Sequence, residues 1–168
     1  MIADADNVFE LLQNDIAAEI AAQALFQDIE LPDGTPWRVL TEDEGDIEFM
    51  FTQMISACGL SVIVQSPTAH TASGTKPVPE VQFDPLSVAV SISEAIIFNR
   101  GAEGTGVRLM RATKEIISAL HTFRPASLNK PLSFTEMLKD RDTHPETGQL
   151  VASRICLFEV RPYFLVVR

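Results

Sequence analysis

The chain has 168 residues, 46% of them hydrophobic, and a formal net charge of −10. This composition is typical of a globular protein and excludes a wholly disordered chain. The length predicts a single domain over residues 1–168. The acidic charge disfavours direct binding of nucleic acid or of an anionic membrane, and neither a membrane span nor a signal peptide is recognisable, so we expect synthesis in the cytoplasm.

Two helices are predicted in the first third of the chain from the helical spacing of apolar residues. The first covers residues 7–27 and the second covers residues 47–57. Asp46 is a suitable N-cap for the second helix, and Gly59 is suited to close it. The apolar, β-branched run Leu60–Val64 follows directly and predicts a buried strand.

The middle of the chain combines a polar segment with an alternating one. Residues 66–79 are rich in Ser, Thr, Ala, Gly and Pro, which predicts a long flexible loop. Residues 87–99 alternate between large apolar and small side chains, which predicts a strand. The small face, with Ala89, Ser91 and Ser93, is suited to close packing by a helix or by a neighbouring subunit.

The last third predicts a helix followed by strands. Residues 107–121 carry an apolar stripe at helical spacing, and Pro125 prevents the helix from continuing. Residues 139–148 are polar and predict a loop, and residues 151–160 predict a final long strand. The order of elements predicts an α+β fold in which a single mixed or antiparallel sheet packs against two to three helices.

A glycine-rich turn, Gly101–Gly106, lies between the predicted strand and the third helix. This context is suited to phosphate binding, but no Lys-Ser/Thr pair follows the last glycine and Glu103 would face the phosphate. A tight connection that needs positive φ angles is the alternative explanation. A small cytoplasmic enzyme or ligand-binding domain that uses this turn remains an open hypothesis.

The sequence offers no convincing catalytic or metal-binding set. Cys58 and Cys156 lie in apolar segments, which predicts reduced thiols in the core, although a remote Cys–His pair stays open. The three histidines are scattered, without the spacing of metal ligands. We therefore expect no catalytic residues, no cofactor and no metal.

Charge is distributed unevenly along the chain. Residues 1–60 hold 13 acidic residues and one basic residue, whereas residues 61–168 hold 10 acidic and 12 basic residues. Such an asymmetry is one route to head-to-tail contact between copies, with acidic and basic parts facing each other, whereas the alternative is that the acidic residues keep the protein soluble. The candidate interface residues are acidic Glu42, Asp43 and Glu44 on one copy and basic Arg108, Arg111 and Lys114 on the next. A simply solvated acidic loop and basic helix face is the alternative.

Residues 87–162 resemble a known family. A strand of small residues ends in Asn99-Arg100 and is followed by Gly104-Thr105-Gly106, then by a helix that ends in Leu120-His121-x-Phe123-x-Pro125. A polar loop with Asp142 and an alternating last strand complete the pattern. This order resembles the tail-terminator and tail-completion proteins of long-tailed bacteriophages, including prophages. The acidic segment 41–57 and the tail beyond Pro162 depart from the family pattern.

The resemblance implies a non-enzymatic structural protein with a tail-terminator-like fold. It implies a homo-oligomeric ring, expected as a hexamer, that caps the tail tube and joins it to the head connector. The implied partners are other copies of the chain, the tail tube protein and the head–tail connector protein. The implied location is the virion tail, after assembly in the host cytoplasm.

Overall fold

The computed structural model describes residues 5–71, 80–143, 148–161 and 163–166. The helices are α1 (Ala5–Ala21), α2 (Ala24–Gln27), α3 (Ile47–Cys58), α4 (Ile96–Asn99) and α5 (Leu109–Leu120). The strands are β1 (Leu40–Thr41), β2 (Leu60–Val64), β3 (Thr68–Thr71), β4 (Glu80–Ala95), β5 (Ser133–Thr143), β6 (Leu150–Val160) and β7 (Tyr163–Val166). A 3₁₀ turn, Glu42–Glu44, follows β1.

All seven of these strands belong to one mixed sheet. Its main order is β1-β2-β4-β6-β5, with β1 parallel to β2 and the other pairs antiparallel. The first half of β4 extends further and pairs with β3 on the β2 side and with β7 on the β6 side. The predicted α+β fold with a single mixed sheet is therefore confirmed.

Helices α1 and α5 pack side by side on one face of the sheet, which we call the inner face. Helix α1 contacts β1 and β2, and α5 contacts β4, β5 and β6. Alternate residues of β4 form the floor of this core: Val88, Val90 and Ile92 are at most 2% exposed. Burial of side chains of this size stabilises the fold by about 1.5–3 kcal/mol each.

The other face of the sheet is called the outer face. The described residues cover it at one end and leave the rest open. At the covered end, Ile55 of α3 packs against Ala95 of β4 and Val151 of β6, which are paired neighbours in the sheet. Helix α3 itself begins and ends as predicted. Asp46 Oδ1 accepts a hydrogen bond from the Phe49 N–H (3.0 Å), and Gly59 adopts the left-handed conformation at the C-cap (φ +77°).

The predicted strand at residues 87–99 is wrong at both ends. It starts earlier, at Glu80, and it stops at Ala95, after which Ile96–Asn99 forms the short helix α4. Alternation of apolar residues continues through Phe98, so the local pattern favours a strand. A tertiary hydrogen-bond network around Asn99, described below, turns the chain instead.

Three further boundaries differ from the predictions. The predicted helix over residues 7–27 is interrupted between α1 and α2. The predicted polar loop at residues 139–148 is wrong in its first half, because β5 continues to Thr143 as a charged edge strand. Part of the predicted loop at residues 66–79 is strand β3, and residues 72–79 lie outside the described residues.

Candidate functional site

The glycine-rich turn is folded around the side chain of Asn99, which is fully buried. Asn99 Nδ2 donates to Glu94 Oε1 (2.9 Å) and to the Val107 carbonyl (2.9 Å). Asn99 Oδ1 accepts from the Thr105 N–H (3.1 Å) and from the Thr105 hydroxyl (2.5 Å). One amide therefore connects the end of β4, the glycine-rich turn and the approach to α5.

The N-terminus of α5 is already occupied by a carboxylate of the chain itself, that of Glu94. Glu94 is 1% exposed, and its Oε2 accepts a hydrogen bond from the Leu109 N–H (3.0 Å) in the first turn of the helix. Arg100 Nε lies 3.5 Å from Glu94 Oε1. A phosphate bound to this helix end would have to displace the Glu94 carboxylate, so the geometry argues against the phosphate-loop hypothesis.

Two glycines are required by the close approach of the chain to Asn99. A Cβ on Gly104 would collide with the Asn99 backbone carbonyl. A Cβ on Gly59 would lie 2.7–2.8 Å from the backbone nitrogen, Cα and Cβ of Asn99, and Gly59 also has a positive φ. The glycines near this turn thus have a packing reason that is independent of any ligand.

The three acidic candidates, Glu42, Asp43 and Glu44, lie on the 3₁₀ turn beside the β1 edge of the sheet. Glu42 accepts a hydrogen bond from the Ser66 N–H (2.6 Å), and Asp43 accepts one from the Ser66 hydroxyl (2.9 Å). These two carboxylates therefore hold the chain where it leaves β2.

Glu44 is also engaged within the chain. It forms an ion pair with Arg38 and accepts a hydrogen bond from the Thr41 hydroxyl (3.1 Å). Partial burial alone would raise the pKa of Glu44, but the hydrogen bonds from Arg38 and Thr41 and the charge of Arg38 outweigh that effect and lower it.

The three basic candidates lie on exposed positions of the other side of the molecule. Arg108 is the N-cap residue of α5, and Arg111 and Lys114 lie on its solvent-exposed side. Among the described residues, none of the three has a charged partner. Helix α5 packs over β4, β5 and β6, whereas the acidic candidates lie beside β1, so one chain does not bring the two sets together.

Three further cations, which were not predicted from the sequence, lie on the inner face beside α5: Lys139 and Arg141 of β5 and Arg154 of β6. Lys139 is paired with Arg154 in the register, and Arg141 lies in the row that continues through Ala152 to Glu94, where α5 begins. The alternation of strand β5 could have revealed Lys139 and Arg141, had residues 139–143 been predicted as a strand. Arg154 Nε is buried and has no hydrogen-bond partner among the described residues.

The central part of the outer face is left open by the described residues. Its surface includes aliphatic and small side chains from four adjacent strands: Ile63 of β2, Ala89 and Ser91 of β4, Ile155 and Leu157 of β6, and Leu138 of β5. One polar side chain, Gln65, lies among them and donates from Nε2 to the Ser91 hydroxyl (2.7 Å). Leu138 is 43% exposed and the others are half-buried. An antiparallel sheet face exposed to water is normally polar, so this composition is typical of an interaction surface.

A cleft of about 580 Å³ lies between the turn at residues 31–36 and helix α3. Its walls include Leu31, Met50 and Met54, and its volume is in the range of small-molecule sites. The charges on its rim are already satisfied within the chain: Arg38 pairs with Glu44, and Asp33 accepts a hydrogen bond from the Thr35 N–H (2.9 Å).

Both cysteines are buried, and burial raises the pKa of each thiol, to about 11 for Cys156. The described residues include no group of three or more His, Cys, Asp or Glu side chains placed to hold a metal ion. Nor does the described part of the chain contain a helix with the length and apolar character needed to cross a membrane. No protein-family model and no curated protein matches the sequence.

Proposed function

We propose that this protein is a structural protein of a phage or prophage tail. In this role, copies of the chain form a ring, expected as a hexamer, that caps the tail tube and provides a surface for the head–tail connector. The proposal rests on the resemblance over residues 87–162 and on the distribution of surfaces on the folded chain. It assigns no catalytic role to any residue.

The observation that supports the proposal best is that unlike surfaces lie on opposite sides of the same chain. Cations from α5, β5 and β6 lie on the inner side, whereas the open aliphatic surface lies on the outer face. A contact between two different surfaces of the same chain is head to tail, and head-to-tail contacts close into rings or grow into filaments. A ring at the end of a tube requires this kind of contact.

The direct test of the function is addition of the protein to polymerising tail tube protein encoded in the same genome. The proposal predicts shorter tubes, each with one terminal ring in electron micrographs. A variant that stays monomeric but folded is the matched control, and it should leave tube length unchanged. Tubes of unaltered length, with no protein at their ends, would contradict the proposal.

The alternative, a ligand-binding domain or enzyme that uses the turn at Gly101–Gly106, has less support. The helix end that would receive an anion is occupied by Glu94, and the turn residues Thr105 and Val107 are engaged with Asn99 and with each other. The turn thus has a complete structural explanation.

A further inference from the structure

We propose that the open part of the outer face is the docking surface for helix α5 of a second copy of this chain. The surface on the first copy is the set named above: Ile63, Ala89, Ser91, Leu138, Ile155 and Leu157. The inference deepens the proposed function, on which it rests for the expectation of a closed ring. It names the two surfaces that join neighbouring copies.

Apolar contact is the first reason for this pairing. Met110 on α5 is 53% exposed, although it belongs to a helix whose other large apolar residues are mostly buried. On the outer face, Leu138 and its neighbour in the register, Ile155, provide adjoining aliphatic surface. Burial of these apolar side chains would supply most of the binding free energy, since exposed ion pairs contribute only about 0.2–1 kcal/mol each.

Shape is the second reason. Ala89 and Ser91 are successive outer-face positions of the central strand β4, and both are small. Small side chains in the middle of a face allow a helix to approach the backbone closely, here between Ile63 on β2 and Ile155 and Leu157 on β6. Gln65, directly after β2, borders the same area and donates from Nε2 to the Ser91 hydroxyl (2.7 Å), so an approaching helix would meet this amide beside the aliphatic side chains.

Charge is the third reason, and it favours α5 over the other helices. Two exposed carboxylates, Glu136 and Asp140, border the outer face on the edge strand β5. Around Met110, α5 presents Arg108, Arg111 and Lys114. The cations around Met110 thus match the carboxylates beside the aliphatic surface. Charge complementarity of this kind guides the register and orientation of the two copies more than it adds affinity.

A two-fold contact through the edge strand β5 is disfavoured by the same charges. Outer-face positions of β5 carry Glu136 and Asp140, and inner-face positions carry Lys139 and Arg141. In a two-fold antiparallel pair of β5 strands, each residue would face one from the same side of the sheet. Like charges would then be opposed, which destabilises the pair. The charges therefore argue against a two-fold contact through β5.

The pairing differs from the contact predicted from sequence, in which Glu42, Asp43 and Glu44 receive the basic helix. Those carboxylates are already engaged with Ser66, Arg38 and Thr41 within the chain. Among the described residues, Glu136 has no hydrogen-bond or ion-pair partner, and Asp140 accepts a single hydrogen bond, from the N–H of its neighbour Arg141 (2.8 Å). The contact predicted from the sequence stays a prediction, and the charge-reversal experiment below distinguishes it from the outer-face contact.

The test is disulfide crosslinking between engineered cysteines. Met110→Cys is combined in one chain with Leu138→Cys, Ile155→Cys or Leu157→Cys, one at a time. A head-to-tail contact predicts that at least one double variant gives a ladder of crosslinked copies on a non-reducing gel, while each single variant stays uncrosslinked. The native thiols do not interfere, because Cys58 and Cys156 are at most 1% exposed.

Charge reversal provides the second readout. Arg111→Glu should lower the oligomer fraction, and adding Asp140→Lys to the same chain should restore much of it. Two matched controls should leave assembly unchanged: Arg124→Glu, which reverses an exposed charge beyond α5, and Leu11→Ser, which removes a 44% exposed leucine from α1. Circular dichroism of every variant checks that it is folded.

Several results would overturn the inference. These are a protein that stays monomeric at high concentration and low salt, an oligomer that none of the three cysteine pairs crosslinks, or assembly restored by Asp43→Lys but not by Asp140→Lys. The proposed function is tested separately, by tube capping. Rings that cap tubes without the predicted crosslink would refute only the docking surface, and crosslinked oligomers that cap no tube would refute only the tail function.

Discussion

Replacement of Asn99 by alanine tests how much of the fold depends on the network at the glycine-rich turn. The substitution removes two hydrogen bonds donated by Nδ2 and two accepted by Oδ1. Each is worth about 0.5–1.5 kcal/mol net, so their loss costs about 4 kcal/mol. A domain of this kind has a total free energy of unfolding of about 5–15 kcal/mol, so Asn99→Ala removes a large share of it.

The assay is equilibrium unfolding in urea, followed by circular dichroism. With a slope of about 2 kcal/mol per molar urea, a loss of about 4 kcal/mol lowers the unfolding midpoint by about 2 M. Glu103→Ala is the matched control in the same turn, because Glu103 is exposed, and it should change stability by no more than about 0.5 kcal/mol.

Asn99→Asp separates hydrogen bonding from packing, because aspartate has nearly the same size as asparagine. It keeps acceptors for Thr105 but removes the donors and places a second carboxylate beside Glu94, so it should destabilise the protein at neutral pH at least as much as alanine does. A loss below about 1 kcal/mol for Asn99→Ala, or a neutral Asn99→Asp, would refute this account of the turn.

Three further predictions concern titration, thiols and ligands. Since the pKa of Glu44 is lowered in the folded state, its stabilising contribution is present above its ordinary pKa of 4.5 and is lost as the pH falls through the lower folded value; Glu44→Gln should flatten this acid limb in urea titrations from pH 7 to 3. Cys58 and Cys156 should react with a thiol reagent only after unfolding. With a pKa of about 11, roughly one Cys156 thiol in a thousand is ionised at pH 8. Rapid reaction of the folded protein would contradict this prediction. Nucleotides at millimolar concentration should leave the melting temperature unchanged, whereas a dose-dependent rise of several degrees would revive the phosphate hypothesis for residues 101–106.

The parts of the fold that sequence predicts well are those with local physical causes. Helix α3 is one example, because its N-cap Asp46 and its C-cap Gly59 are both readable from residue type. Strand β2 is another, because an apolar, β-branched run has few alternatives to a buried strand. The small residues on the outer face of β4 predict close packing by a helix or by a neighbouring subunit, and for the open part of that face this stays a prediction.

The parts that sequence missed depend on distant contacts. Residues 96–99 alternate like a strand, but they form a turn of helix, in which the buried amide of Asn99 donates to Glu94 and to the Val107 carbonyl. Residues 139–143 are charged and predict a loop, yet a charged strand is favourable at a sheet edge, where it discourages pairing with other chains. The cations of β5, Lys139 and Arg141, were missed for the same reason.

Sedimentation velocity of the purified chain at low and at high salt tests the central claim, head-to-tail assembly, most directly. The account predicts one closed species at low salt, with a mass that is a fixed multiple of 18.5 kDa and is expected to be sixfold. The fraction of the chain in that species should fall as salt screens the charges around the contact, since the Debye length falls from about 30 Å at 0.01 M to about 3 Å at 1 M. A strict monomer at high concentration and low salt would contradict the account.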